Sequence, residues 1–443
     1  MAGEMRGRYK DSKAGFEQSV EADVLAAMRK PSIWYWVAIA VTSTLFVTGM
    51  TLWIYQMKRG MGVSGLTHPV GWGIYITDFV FWVGIAHSGT LISAVLFLFR
   101  ARFRSSFNRA AEAMTVFAVM TAGLFPLIHL GRSWLFYWLI PYPNQRLIWT
   151  NFKSPLMWDV FAVGTYFTVS VVFFFVGMIP DLAIVKRWAV GARKWLYSAL
   201  SLGWKGTNNQ WRHYKQLYTL LAAFATPLVI SVHSVVSWDF AMSIIPGWHT
   251  TIFAPYFVAG AIFSGTAMVI TLVVPMRKIF SLQKYITLDH FEAIAKILLF
   301  TSLIVSYAYI VEISLAFYSG NEFDKTMFLY RMGGDYKPFY WTMIFCNSLF
   351  PLTLFIKRLR RNLAFLLVIS IFVNIGMWLE RFVLIVTSLA KDYNPYAWGT
   401  YKPTFVEAGI TLGSFGLFFT LFLIFVKVLP ILSITELKEE AER

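Results

Sequence analysis

Four stretches of this 443-residue sequence set ionisable side chains among apolar ones, where they could exchange protons out of bulk water. The first is Pro126-Leu127-Ile128-His129-Leu130-Gly131-Arg132 and the second is Ser154-Pro155-Leu156-Met157-Trp158-Asp159. The third is His233-Ser234-Val235-Val236-Ser237-Trp238-Asp239, and the fourth is Trp378-Leu379-Glu380-Arg381. Imidazole titrates near neutral pH, and a carboxyl withdrawn from water can be tuned towards the same range. A guanidinium nearby would hold a carboxylate ionised and in place. These groups suit the oxidation of a quinol, which must release protons as it releases electrons. Trp134, Tyr137, Trp138, Trp158 and Trp238 offer flat walls for a ring, and equally the aromatic belt of a membrane interface. The same charges also read as a structural ion-pair network, with Arg381 bound to Asp239 or Asp159. Asp78 and Glu312 read as carboxylates solvated near helix ends.

A second set lies deeper. His87, Ser88 and Thr90, with His233 and Ser237, could pass protons through a helix bundle, or could simply pack it. Bis-histidine haem needs facing imidazoles at similar depth. His87 falls mid-span, His129 near a span end, and His233 about 9 Å deeper than Asp239 at helical rise, so the spacing disfavours haem. Cys346 is the single cysteine, which excludes a cysteine-ligated iron–sulfur cluster or a covalent haem c in this chain. Such groups would belong to a partner. No metal-ligand spacing, phosphate-cradling glycine loop or nucleophile elbow is visible.

Long apolar elements must position these residues. Of the chain, 57% is hydrophobic and 14% charged, which disfavours a water-soluble enzyme, a nucleic-acid-binding domain and a disordered scaffold. Ten runs are long enough to cross a bilayer: 33–57, 72–98, 112–138, 157–179, 216–238, 251–275, 291–317, 339–356, 363–389 and 405–430. The fold expected is an all-α integral membrane protein. Lys and Arg divide 27 to ten between alternate loops when Arg132 and Lys427, at the ends of their runs, are counted with the adjoining loops, and Lys296 and Arg381 lie inside spans. That bias explains the +16 net charge and predicts both termini in the cytoplasm. The first thirty residues lack a signal-peptide layout, so insertion is expected through uncleaved helices.

The expected organisation is a cytoplasmic segment 1–32, a membrane domain 33–430 and a cytoplasmic tail 431–443. Ser88-Gly89-Thr90 and Ser264-Gly265-Thr266 fall in spans of the same direction. They suggest a parallel repeat of spans 2–5 as 6–9, giving four-helix bundles at about 72–238 and 251–389 flanked by spans 1 and 10. Phe16, Val20, Val24 and Met28 recur every four residues, as on a short interfacial helix that docks or anchors. The basic loop 181–214, with Trp204 and Trp211, could lie on anionic lipid or against a partner.

The run from Gly71-Trp72-Gly73-Ile74-Tyr75-Ile76-Thr77-Asp78 to Ile85-Ala86-His87-Ser88-Gly89-Thr90-Leu91-Ile92-Ser93 resembles the NrfD-like membrane subunits of polysulfide reductase type. It is closer still to the C-type membrane subunits (ActC) of bacterial alternative complex III. Asn108-Arg109-Ala110-Ala111-Glu112-Ala113-Met114, the His129 and Asp159 stretches and Pro143-Asn144-Gln145 continue the resemblance. It implies a subunit of the bacterial inner membrane that binds menaquinol near the periplasmic face and carries no haem or iron–sulfur cluster. It implies electron transfer to an iron–sulfur protein subunit and on to haem c proteins, beside a second NrfD-like membrane subunit. Its quinol pocket maps onto His129, Asp159, Asp239 and Arg381, flanked here by Trp158 and Trp238. Proton translocation is an open corollary, and no activity is expected of the chain alone. The alternatives are a quinone-linked anchor of a molybdopterin reductase, a secondary transporter and a purely structural anchor.

Overall fold

The computed structural model describes residues 19–29, 31–140 and 152–441. The expectations for Phe16 and for Pro143-Asn144-Gln145 lie outside the described residues. Apolar stretches dominate the sequence, and in lipid each must satisfy its own backbone hydrogen bonds, so helices result. The long ones are α1 (Ile33–Arg59), α2 (Ile74–Thr90), α3 (Asn108–His129), α4 (Pro155–Val185) and α5 (Asn208–Ala241). They continue with α6 (Phe253–Ile279), α7 (Leu288–Tyr318), α9 (Leu363–Ala390) and α10 (Phe405–Val428), with the short α8 (Lys337–Ile344) between α7 and α9. Capping boxes start three of them, with Thr207 and Gln210 opening α5, Thr287 and His290 opening α7, and Thr404 and Glu407 opening α10.

Among the described residues no strand occurs and nine helices are long and apolar enough to span a bilayer. The expected span 339–356 is not one continuous helix. α8 passes into a π-helical turn at Phe345–Leu349 and then a 3₁₀ segment at Phe350–Phe355. This broken rod nevertheless joins the same two faces as the others. At one end Tyr336 bonds Tyr401 beside the start of α10, and at the other Arg361 bonds Asp289 and Glu292 at the start of α7. The third span ends earlier than the sequence suggested. Gly131 takes a left-handed φ of +70° and closes α3 just after His129, the usual glycine stop. Trp134 and Trp138 therefore sit in the separate 3₁₀ turn Ser133–Leu139, exposed.

Both described chain ends lie on one face, called here the terminal face. Helix 19–28 docks there, with Lys438 bonded to Glu21, and with Lys427 bonded to the Ala27 carbonyl. Its Val20, Val24 and Met28 are buried against the rest of the chain, so the four-residue period marks an intramolecular dock and not a face laid on lipid. The loop beyond α4 forms the short helix Ala192–Leu200, with Trp188 and Trp195 exposed.

α2 packs on α3 and α6, α4 on α5, α6 on α7 and α9, and α8 on α9, while α1 pairs with α10. Small residues set the closest seams. At Gly89 a Cβ would come within 2.3 Å of the Ala111 carbonyl of α3, and at Gly265 within 2.6 Å of the Ile85 carbonyl of α2. The matched Ser-Gly-Thr motifs therefore do parallel work, each bringing its helix against a neighbour. The Ser88 and Thr266 hydroxyls meet at 3.1 Å across the seam between α2 and α6.

Candidate functional site

The far face, opposite the chain ends, carries the start of α4 and the end of α5. Those ends place Trp158-Asp159 against Trp238-Asp239. The indole rings meet edge to face, with centroids 5.9 Å apart, and Trp158 is held by a 2.7 Å bond from Nε1 to the Phe152 carbonyl. The Asp159 and Asp239 carboxyls lie close enough to act on each other. Asp159 is 6% exposed, and neither carboxyl is bonded to a cation among the described residues. A carboxyl–carboxylate hydrogen bond needs one proton held between the two groups, and two buried carboxyls in contact are costly to ionise together.

His129 ends α3 on the same face, half-buried, with Nδ1 unbonded. No hydrogen bond ties it to the two aspartates among the described residues. Arg381 stands elsewhere. Its guanidinium pairs with its own neighbour Glu380 and lies over the Phe257 ring at 4.3 Å, and not with Asp159 or Asp239. The two residues sit about 15 Å along α9 from its far-face end, deeper than the sequence reading placed them.

His87 and His233 also depart from expectation. Their ring centroids are 4.5 Å apart, and Tyr166 stacks on His87 at 5.0 Å. The histidines share one depth, because α2 and α5 are offset along the bundle axis in a way that counting residues within each helix does not show. The rings touch, and leave no gap between them for a porphyrin. Around them Thr90 bonds the Tyr166 hydroxyl at 2.7 Å, and Ser237 bonds back to the Ser234 carbonyl at 2.6 Å.

Asp78 and Glu312 are both buried. Asp78 is fully buried and accepts bonds from Trp378 Nε1 and the Thr411 hydroxyl, at 2.7 and 2.5 Å. Glu312 is 8% exposed, with Oε1 unbonded. It lines a far-face cleft of about 580 Å³ together with Trp238, His249, Thr250, Tyr318 and Asp324. That volume is in the range of small-molecule sites. The indole of Trp238 thus serves both the cleft and the aspartate pair. Behind Glu312 lies Arg331, buried and bonded to Thr387 and Ser388. Burial lowers the Arg331 proton affinity, and the charge of Glu312 opposes that shift.

Residues 62–391 match the family described as polysulphide reductase, NrfD. The chain belongs to that family. NrfD-family subunits belong to oxidoreductase complexes. Similar curated proteins include a putative dimethyl sulfoxide reductase membrane subunit of Halobacterium salinarum, 26% identical over 85% of this chain and 86% of that protein. Another is a selenate reductase subunit of Mesobacillus selenatarsenatis, 22% identical over 88% of this chain and 93% of that one. A third is an Hdr-like menaquinol oxidoreductase integral membrane subunit of Archaeoglobus fulgidus, 23% identical over 33% of this chain and 34% of that one.

Some groups in this NrfD-family chain went unweighted in the sequence reading. On the terminal face, Arg109 bonds Glu112 at 2.9 Å and Asp181 at 2.8 Å, all three buried. An Arg and a Glu three residues apart in an apolar run was the available signal. Arg331 had no such signal, because Glu322–Gly333 reads as an ordinary polar loop helix.

Proposed function

We propose that this chain is the quinol-oxidising membrane subunit of a multi-subunit reductase of the polysulfide, dimethyl sulfoxide or selenate reductase kind. The observation that carries the reading is the facing Asp159–Asp239 pair, walled by Trp158 and Trp238, in a chain whose family match spans residues 62–391. A quinol headgroup at this place gives its hydroxyl protons to the aspartates and to His129, while the indoles hold the ring. Its electrons leave to an iron–sulfur partner subunit docked on the far face, and from there to a molybdopterin subunit. The names of the relatives from H. salinarum and M. selenatarsenatis support a reductase acceptor, and that of the A. fulgidus protein supports menaquinol as donor.

In this reading the far face is periplasmic, both termini are cytoplasmic by the lysine and arginine bias, and the protein sits in the bacterial inner membrane. Arg381 acts from depth, through Glu380, and not as a direct ligand of the aspartates. The likeness of the Gly71–Ser93 run to the C-type membrane subunits of alternative complex III favours a second reading. There the same quinol chemistry feeds haem c proteins, beside a second NrfD-like membrane protein, with proton translocation coupled through His87, Ser88, Thr90, His233 and Ser237.

Purification of the intact complex from its host, with quinol oxidation measured for the parent, Asp159→Asn and His129→Leu, tests both. Loss of turnover with partner cofactors retained is the expected result. Unchanged turnover in both variants would move the quinol site to another subunit. Molybdenum in the purified complex fits the first reading, and haem c fits the second.

A further inference from the structure

The second bundle holds buried acids that quinol chemistry at Asp159 and Asp239 does not use. Glu312 is the wall between two spaces. On one side is the far-face cleft of about 580 Å³. On the other is a small space of about 20 Å³, into which Glu312, Tyr309, Glu380, Arg331, Tyr256 and Tyr340 bring polar atoms among apolar neighbours. A space of that size has room for about one water. Both spaces also share Phe328, so they are adjacent. Glu312 has an unbonded Oε1 although it is buried. Arg331, the cation nearest in charge effect, is committed elsewhere, to Thr387, Ser388 and the Leu384 carbonyl.

Across the small cavity, Glu380 is fully engaged. It accepts from the Tyr309 hydroxyl, from Arg381 and from Asn347 Nδ2 at 3.4 Å, and Asn347 also donates to the Tyr309 oxygen at 2.9 Å. Asn347 sits on the π-helical turn that breaks the eighth rod, and such turns re-aim a side chain that a regular helix would turn away. Glu380 lies about 15 Å from the far-face end of α9 and Glu312 about 9 Å from that of α7. One acid therefore stands at the floor of an open cleft and the other deeper, with room for one water between.

We propose that Glu312 is the proton port of the second bundle, the carboxyl through which Glu380 exchanges protons with water in the far-face cleft. A proton from the cleft binds the Glu312 carboxyl. It then passes by way of a water in the small space to Glu380, and Glu312 returns to the state in which it began. The charged and titratable groups that face this step are Arg331 from helix Glu322–Gly333, Tyr340 from α8, Tyr256 from α6, Tyr309 from α7 and Arg381 from α9. The two arginines keep a deprotonated Glu380 or Glu312 tolerable in a low-dielectric setting. The step is independent of whether this chain oxidises quinol.

The test uses the purified complex in vesicles of phosphatidylcholine and phosphatidylglycerol, followed by infrared spectroscopy of protonated carboxyl bands during exchange into deuterated water. The Glu380 band is assigned by its loss in Glu380→Gln. In Glu312→Gln its exchange is expected to slow by about 100-fold, the scale of removing one positioned proton-transfer group, and Glu312→Asp should restore most of the rate. Ser319→Trp, which narrows the cleft at its rim without touching Glu312, should slow exchange as well and keeps the test open if Glu312→Gln does not assemble. Exchange as fast in the assembled variants as in the parent would overturn the proposal. So would the absence of a Glu380 acid band across the pH range in which the complex is stable.

Discussion

The two four-helix bundles, α2–α5 and α6–α9, bury acids in opposite ways. In the first, Asp159 and Asp239 meet at the far face with no cation bonded to either among the described residues, and the buried Arg109 stands at the terminal face with Glu112 and Asp181. In the second, Glu380 is bonded to Arg381, and Glu312 stands near Arg331. Parallel packing of the Ser-Gly-Thr seams thus carries two electrostatic designs. Where acid faces acid, no guanidinium among the described residues balances the charge. Where acid sits beside guanidinium, as at Glu380, the charge is balanced already. On the function proposed above, substrate chemistry falls to the first design.

The largest effect should come from breaking the acid–acid contact. Asp239→Asn and Asp159→Asn are each expected to lower quinol turnover of the intact complex by about 100-fold or more. Folding should be retained, because an amide can still bond the remaining carboxyl. Turnover assays beside cofactor content check this. Arg381→Met, by contrast, should act mainly through Glu380. If it matched the aspartate variants in turnover while Glu380→Gln did not, the guanidinium would have to reach the aspartates directly and the comparison drawn above would fail.

Stability sharpens the contrast from the other side. Arg109→Met strands two buried carboxylates at once and should cost about 3–5 kcal/mol. That is enough for the chain to accumulate poorly, and denaturation in mixed micelles would measure it. Arg381→Met should cost less, since Tyr309 and Asn347 still donate to Glu380.

A smaller effect separates the glycine seams. Gly89→Ala pushes a methyl against α3 and Gly265→Ala pushes one against α2, and overpacking of this kind costs about 1–3 kcal/mol. Gly164→Ala meets nothing within 4 Å and serves as the neutral control. Equal losses at Gly89 and Gly265 would support the repeat as a structural one. A loss at Gly265 alone would mark the seam between bundles as the tighter joint.

Much of this arrangement was legible beforehand, for reasons that differ by residue. Apolar length alone placed the helices, because lipid forces backbone bonds to close within each segment. It failed at 339–356, where a π turn and a 3₁₀ segment interrupt a run whose composition is ordinary. Trp158-Asp159 and Trp238-Asp239 were legible as lying on one side because each stands at a helix end of known direction, but their facing each other was not, since Arg381 was the partner expected for either. Arg381 was misplaced because depth along α9 does not tell which neighbour its side chain selects, and the nearest carboxyl was the one beside it in sequence. Glu312 and Asp78 were undervalued for a related reason. Nearness to a helix end suggests water, yet helix Glu322–Gly333 and α10 cover those ends. His87 and His233 show the same limit, since axial offset between helices is a tertiary quantity.

The smallest predicted effect compares helix starts on the terminal face. Thr207 caps α5 of the first bundle and Thr287 caps α7 of the second, each bonding the amide three residues on. Removing such a cap costs about 0.5–2 kcal/mol. Thr207 is exposed, so water replaces the lost bond and Thr207→Ala should fall at the low end. Thr287 is half-buried, and its capping partner His290 also bonds Ser106 at 2.9 Å, which ties the start of α7 to the loop before α3. Thr287→Ala should therefore fall at the high end, because it loosens a joint between the bundles as well as a helix end. Amide hydrogen exchange over 288–291 and over the turn 102–106 would read this directly. Faster exchange in both segments in Thr287→Ala is expected, and faster exchange confined to 288–291 would mean that the bundles are joined elsewhere.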